Sequence, residues 1–142
     1  ARVEQDGYYH DVVNADQSAL GARMPQDAIT HAAYMVARDI SARAVVCYSH
    51  TGTTARLMAR HRPWVPILAL TPFDNVARRM VLCFATHPVI VRNVETFADA
   101  VDVAVNAARD QGIASSGDKL VLTAGVPFGK AGTTNILRVA EV

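Results

Sequence analysis

The stretch that decides the fold is Val45-Val46-Cys47-Tyr48-Ser49-His50-Thr51-Gly52-Thr53-Thr54-Ala55. Its apolar start predicts a buried strand, its hydroxyl-rich centre predicts a turn, and its last residues predict the start of a helix. That order directs backbone N–H groups and the positive end of a helix dipole at one spot, which attracts phosphate. The stretch therefore predicts an α/β fold with a phosphate-binding turn at residues 49–54.

Outward from this stretch, apolar runs alternate with segments of helical periodicity. Short apolar runs predict strands near 44–47, 67–70, 89–91, 120–122 and 135–139. Helical spacing of apolar residues predicts helices near 25–41, 53–60, 74–82 and from 96 to Gly112. Asp74 is the expected cap of the third of these helices. The alternation predicts a parallel sheet with right-handed crossovers.

The connection from Gly125 to Thr134 is too short and too rich in glycine for a helical crossover. The final strand is therefore expected to run antiparallel to its neighbour, at an edge of the sheet.

Composition bounds the class of protein. With 142 residues, 51% of them hydrophobic and 19% charged, the chain is expected to form one α/β domain that buries a core. A net charge of +1 gives no electrostatic case for nucleic acid or membrane partners. Cys47 and Cys83 lie in apolar runs and predict buried thiols in a reducing compartment. With no apolar run of 18 residues and no signal-peptide pattern, the sequence predicts a cytoplasmic protein, and the missing initial Met suggests a fragment.

The sequence offers little for catalysis. It contains no GxSxG elbow, no Walker A motif and no GxGxxG. Ser49 and His50 are adjacent, so their side chains diverge and do not form a nucleophile–base pair. The five histidines show no metal-ligand spacing. We therefore expect no catalytic residue and no metal ligand in this chain.

Two loops are expected to face each other at the carboxyl ends of their strands. The turn at 49–54 follows the first strand, the glycine-rich loop at 124–132 follows the fourth, and ligands bind where strand order reverses. If the first and fourth strands are neighbours, the turn cradles a phosphate and Lys130 closes over it. The bland alternative is a helix start capped by Thr51 or Thr53. The candidate binding residues are Ser49, His50, Thr51, Gly52, Thr53, Thr54, Gly129, Lys130 and Gly132.

Several motifs together resemble one family. From about Pro25 to Val142, the chain resembles the C-terminal domain of bacterial pyruvate kinases. The matching pieces, in order, are Asp27-Ala28-Ile29, Thr51-Gly52-Thr53-Thr54-Ala55, Arg62-Pro63, His87-Pro88-Val89, Gly117-Asp118, Thr123-Ala124-Gly125-Val126-Pro127 and Gly132-Thr133-Thr134-Asn135.

This resemblance implies a three-layer α/β/α sandwich. Its mixed five-stranded sheet has the order 3-2-1-4-5, with strand 5 antiparallel. Residues 1–23 would be a linker or the end of the preceding barrel domain, and residues 24–142 the α/β domain itself.

The resemblance also implies a regulatory role. In the family, the turn that matches 49–54 holds an effector's phosphate in many members, and the glycine-rich loop lies over the sugar. The expected partners are the barrel domain of the same enzyme, further copies in a tetramer, and a phosphorylated small molecule. The catalytic groups, with their magnesium and potassium, lie on other domains of the enzyme, which transfers phosphate from phosphoenolpyruvate to ADP. The chain is thus expected to need no cofactor and to be inactive alone.

One departure from the family affects the expected effector. Members that bind a sugar bisphosphate commonly place Trp and Arg at the positions matching Phe97 and Ala104. A sugar monophosphate or AMP is therefore expected rather than fructose 1,6-bisphosphate, unless Lys130 substitutes for the missing Arg. The alternatives are loss of effector binding in a purely structural tetramer-assembly domain, a free-standing phosphometabolite-binding module, and a phosphatase or hydrolase.

Overall fold

The computed structural model describes residues 24–130 and 133–142. Four helices and five strands follow one another along these residues. They are α1 (Pro25–Asp39), β1 (Ala44–Tyr48), α2 (Thr53–Arg60), β2 (Ile67–Thr71), α3 (Asp74–Met80), β3 (Thr86–Ile90), α4 (Phe97–Asp110), β4 (Lys119–Gly125) and β5 (Thr134–Glu141).

The five strands form one mixed sheet with the order β3-β2-β1-β4-β5. β1 pairs in parallel with both β2 and β4, and β3 pairs in parallel with β2. β5 pairs with β4 in the antiparallel direction at the edge. The predicted strand order and the antiparallel last strand are confirmed, and the reversal of strand order lies between β1 and β4.

Helices cover both faces of the sheet, which confirms the three-layer α/β/α architecture. α4 packs on one face through Ala100, Ala104, Ala107 and Ala108, against strand residues that include Val46 and Leu122. α1, α2 and α3 pack on the other face, where Val45, Cys47 and Ile67 point. Because β1, β2 and most of β4 are buried on both sides, their sequences are continuous apolar runs rather than alternating ones.

Several predicted boundaries needed correction. α3 ends at Met80 rather than near residue 82, and its N-cap is Phe73, so Asp74 is the first helical residue and pairs with Arg78 at 2.8 Å. β3 begins at Thr86, earlier than predicted, and contains Pro88. Proline lacks the N–H that a central strand needs, and it is tolerated here because β3 is an edge strand.

The hairpin between β4 and β5 crosses closely at Gly125. A Cβ at this position would lie 2.6 Å from Thr133 Oγ1 and 2.8 Å from the Thr133 backbone. The strand register shifts between Ala124 and Gly125, so the glycine lets β4 end in an irregular step that leads into the loop above the sheet.

At the amino end of β2, in the connection from α2, Trp64 has 58% of its side chain exposed. Among the described residues, no helix is long and apolar enough to cross a membrane. The expectations for residues 1–23 and for Gly132 lie outside the described residues.

Candidate functional site

A cleft opens where strand order reverses, at the carboxyl ends of β1 and β4. We call it the switch-point cleft, and it encloses about 390 Å³, part of it open to solvent. No carboxylate lines it among the described residues, and Lys130 brings the one formal charge. Its lining residues are Tyr48, Ser49, His50, Thr51, Thr53, Thr54, Gly125, Phe128, Gly129, Lys130, Thr133 and Thr134.

The turn below the cleft is built by Ser49 and Gly52. The Gly52 N–H donates to Ser49 Oγ at 2.9 Å, and Gly52 adopts a left-handed conformation with φ of +82°. Gly52 is the N-cap of α2, and its carbonyl accepts from the Arg56 N–H. The alternative in which Thr51 or Thr53 is the N-cap is therefore wrong. Gly52 itself is buried against α3 and does not line the cleft.

α2 presents its amino end to the cleft. The first N–H groups of a helix have no acceptor within the helix, and they carry the positive end of its dipole. The first turn of α2 holds no acidic residue that would neutralise this end. The Thr53 N–H lies 3.4 Å from Thr51 Oγ1, and the Thr51 hydroxyl donates to the Thr53 hydroxyl at 3.0 Å. These two contacts order the turn beside the amino end of α2.

The buried hydroxyl of Thr54 joins α2 to β5. Thr54 Oγ1 lies 2.6 Å from Thr134 Oγ1, and both residues are almost fully buried. A buried hydroxyl needs a partner, and each threonine supplies the other's. This contact fixes the start of β5, and with it the end of the glycine-rich loop, against the turn.

The loop between β4 and β5 is held at its base and at its tip. Asn135 closes the base, because its Oδ1 accepts from the Val126 N–H at 2.9 Å and its Nδ2 donates to the Val126 carbonyl at 2.7 Å. At the tip, the Phe128 ring packs edge-on against Tyr48, with centroids 5.6 Å apart. The Lys130 carbonyl accepts from the Thr133 hydroxyl at 2.7 Å. The predicted meeting of the two loops is confirmed.

His50 forms a wall of the cleft and is held by Asn93. The imidazole Nε2 lies 3.1 Å from Asn93 Oδ1 and 3.4 Å from the Tyr48 hydroxyl oxygen. Tyr48 donates its hydroxyl hydrogen to Asn93 Oδ1 at 3.2 Å and accepts from the Val94 N–H. Burial is the main cause that raises the pKa of Tyr48, so this phenol keeps its proton and remains a donor.

A second cavity adjoins the cleft on the far side of His50. We call it the side cavity; it lies between the β3–α4 connection and the β4–β5 loop, and its volume of about 750 Å³ includes space open to solvent. It shares His50, Phe128 and Gly129 with the switch-point cleft. Its other lining residues are Asn93, Val94, Glu95, Thr96, Phe97, Val126 and Pro127.

The structure separates the two positions on which the expected effector class depended. Phe97 lines the side cavity. Ala104 instead is 1% exposed and packs under the sheet from α4. The present side chain at 104 therefore packs in the core and lines neither cavity, and the expectation that a second phosphate lacks its clamp stays a prediction.

The adjacent Ser49 and His50 have separate partners. Ser49 Oγ is turned to the Gly52 N–H while His50 is turned to Asn93, so the two side chains diverge as expected. Ser49 and His50 therefore do not form a nucleophile–base pair with each other. No group of three histidine, cysteine, aspartate or glutamate residues within 24–130 and 133–142 is placed to hold a metal.

Most of the predicted site residues come together. Among those that the structure describes, all but Gly52 line the switch-point cleft. Sequence reasoning missed Tyr48, Asn93 and Phe128 as site residues, and it gave Asn135 no structural role. Only the position of Tyr48, at the carboxyl end of a buried strand, was a usable signal. Asn93 reaches the site from a connection 43 residues away, which no local pattern reveals.

The chain is similar to known proteins of one family over most of its length. A family model described as "Pyruvate kinase, alpha/beta domain" matches residues 27–140. The chain is 33% identical over 141 residues to a pyruvate kinase of Methylorubrum extorquens and 36% identical over 140 residues to one of Agrobacterium vitis. It is 32% identical over 142 residues to one of Clostridium acetobutylicum.

These matches cover nearly the whole of this chain and a smaller part of each relative. They include 99% of the chain for the first two relatives and 100% for the third. The chain spans 29% of the length of the first two relatives and 30% of the third. The similarity therefore covers a segment the size of one domain in each of these longer relatives.

Proposed function

The chain belongs to the pyruvate kinase family, as its C-terminal α/β domain, and from this premise we propose that it binds a phosphorylated metabolite as a regulatory domain. The phosphate would lie at the turn of residues 49–54, against the amino end of α2. The rest of the metabolite would lie under the β4–β5 loop. Gly132 of that loop is proposed to take part on the family resemblance alone.

The observation that carries this proposal is the polarity of the switch-point cleft. The cleft combines the positive end of α2, exposed or half-exposed donor residues that include Thr51, Thr53 and Lys130, and no carboxylate among its described lining residues. An anion with several acceptor oxygens satisfies these groups together, whereas a cation or an apolar ligand does not.

The activity of the whole enzyme is also a proposal for this protein. We propose that the longer protein transfers phosphate from phosphoenolpyruvate to ADP in the cytoplasm, with magnesium and potassium held on other domains. Effector binding would favour one arrangement of domains and subunits, and it would change substrate affinity through linkage. The 142-residue chain alone would be inactive.

Titration calorimetry of the 142-residue chain tests the binding proposal. We expect heat of binding from at least one of ribose 5-phosphate, glucose 6-phosphate and AMP. The sequence holds two lysines, which form a matched pair. Lys130→Gln should weaken binding about tenfold, since a hydrogen bond to a charged group is lost. Lys119→Gln should have no effect, because Lys119 begins β4 at the opposite end of the sheet.

Silence from all three monophosphates and from fructose 1,6-bisphosphate, with the turn intact, would contradict the proposal. Equal weakening by both lysine substitutions would contradict it too, since the effect would then reflect net charge rather than the cleft.

A second candidate function is assembly of copies of the chain. Leu82 is 91% exposed, and Val81 and Ile90 are 62% and 55% exposed, which leaves apolar surface beyond α3 and at the end of β3. Sedimentation of the wild-type chain and of Leu82→Ser distinguishes this role, because an assembly that uses this surface dissociates in the variant. A chain that stays monomeric at all concentrations would rule the role out for the chain alone.

A further inference from the structure

We propose that Glu95 sets the selectivity of the effector site, by making the side cavity accept an uncharged, hydroxyl-bearing part of a phosphomonoester and reject a second phosphate. The inference rests on the proposed function, since it concerns the part of the ligand that the switch-point cleft does not hold. Glu95 is a separate reason to expect a monophosphate, beside the expectation drawn from positions 97 and 104.

The first step is the continuity of the two cavities. His50, Phe128 and Gly129 line both, so a ligand whose phosphate lies at the amino end of α2 extends past the His50 ring into the side cavity. The gap is narrow there, because a Cβ on Gly129 would lie 4.0 Å from the His50 Cε1 atom. A ligand that reaches both cavities must therefore pass between His50 and Gly129.

The second step is the charge of the side cavity. Glu95 carries the one formal charge among its described lining residues, and that charge is negative. The nearest cation along the chain, Arg92, does not line the cavity, and its Nη2 pairs with Asp99 Oδ1 at 3.0 Å. A second phosphate would therefore meet the Glu95 carboxylate, and the positive end of α4 is already compensated by Asp99 in its first turn.

The side cavity is lined by oxygen atoms and apolar side chains that suit an uncharged, hydroxyl-bearing part of a ligand. Glu95 and Thr96 present oxygen atoms at the amino end of α4, and Phe97 and Pro127 supply apolar walls. Carboxylate oxygens accept hydrogen bonds from hydroxyl groups, and flat apolar walls suit the C–H faces of a sugar ring or a base. The cavity thus matches the neutral portion of a sugar phosphate or a nucleoside monophosphate.

The test compares one monophosphate with one bisphosphate. The 142-residue chain and Glu95→Gln are titrated by calorimetry with ribose 5-phosphate and with fructose 1,6-bisphosphate. Glu95→Gln should improve affinity for the bisphosphate by about fivefold, because one repulsive charge is removed, and should leave affinity for ribose 5-phosphate unchanged or lower. The gain should shrink as salt is raised, because the repulsion is screened.

The matched control is Glu141→Gln, which makes the same change of charge on β5 opposite Lys119, at the other end of the sheet. It should leave the ratio of the two affinities unchanged. An unchanged ratio in Glu95→Gln, with ribose 5-phosphate still bound, would overturn this inference and leave the proposed function standing. Absence of binding by either ligand to the wild-type chain would overturn both.

Discussion

Cys47 lies in the centre of the sheet and is enclosed by helices. It is fully buried on β1, and the Thr123 hydroxyl lies 3.5 Å from its sulfur. Burial raises the pKa of the Cys47 thiol to about 12, from 9.0 in an exposed thiol. The thiolate is the reactive form, so Cys47 is inert at neutral pH although the sequence places it four residues from Thr51.

The buried thiol predicts a dependence of stability on alkaline pH. The unfolded chain loses the Cys47 proton near pH 9 and the folded chain keeps it until about pH 12. The stability that the buried Cys47 thiol contributes is therefore complete below pH 9 and is lost as pH rises from 9 to about 12. The free energy of unfolding should fall by up to about 1.4 kcal/mol per pH unit there.

Urea unfolding at pH 8, 9 and 10 measures this slope. Cys47→Ala should lower stability at every pH and reduce the slope, whereas Cys83→Ala, at a partly exposed thiol, should retain it. The same slope in wild type and Cys47→Ala would show that other groups cause the dependence.

Residue type was easier to predict than residue role. The sequence predicted that the hydroxyl groups of residues 49, 51, 53 and 54 lie on one turn, because these residues are close neighbours in the chain. It assigned all four to a ligand, yet Ser49 serves the Gly52 N–H and Thr54 serves Thr134. The partner of Thr54 lies 80 residues away, and only the folded sheet brings the two together.

At the scale of elements, Gly52 links the turn to the packing of α3. Its φ of +82° is a conformation that side chains disfavour, and a Cβ there would lie 3.1 Å from Met80 Cγ. The close approach that this glycine permits is to α3.

Gly52→Ala should lower the free energy of unfolding by about 2 kcal/mol and should weaken any phosphate binding, because the turn must shift. Gly112→Ala is the matched control. Gly112 also has a positive φ, of +65°, but a Cβ there meets nothing within 4 Å. It should cost about 1 kcal/mol and leave binding intact. If urea unfolding showed that the two substitutions lower the free energy of unfolding equally, the Met80 side chain would have moved aside at no cost, and this prediction would be wrong.

The elements with continuous apolar sequences were the best predicted. β1, β2 and β4 are buried on both faces, and their apolar runs mark them without help from the rest of the chain. The start of β3 was missed because Thr86-His87-Pro88 has neither alternation nor an apolar run. Its extended form depends on pairing with β2, where Pro88 lies opposite Ala69.

At the scale of the molecule, the two loops of the switch-point cleft are joined before any ligand arrives. The Thr54–Thr134 contact and the Tyr48–Phe128 contact connect them across the β1–β4 boundary. A ligand that fills the cleft should therefore restrain both loops together, although they lie more than 70 residues apart in the chain.

Hydrogen exchange measures this restraint. Saturating ribose 5-phosphate should slow exchange of backbone amides in 49–55 and in 125–130, since binding to the folded state suppresses local opening. At 100 times Kd, the folded state gains about 2.7 kcal/mol. Amides in 62–66, at the other end of the sheet, should show no local protection. Protection of one loop without the other would contradict a shared site.

The strand order itself was within reach of the sequence, and the motifs that resemble the family supplied it. The short glycine-rich connection also predicted the antiparallel edge strand without them, since no helix fits between β4 and β5. The side cavity was not predictable, because its walls come from the β3–α4 connection and the β4–β5 loop. The distance between this connection and this loop depends on how α4 packs against the sheet.

The position of Trp64 has a practical consequence for anyone who measures this protein by light. It is the sequence's sole indole, and it lies where β2 begins, whereas the cleft lies where β1 and β4 finish. Its fluorescence will change when the protein unfolds and will not change when a ligand binds in the cleft. A dye or an engineered indole near Phe97 would be needed to watch a metabolite arrive.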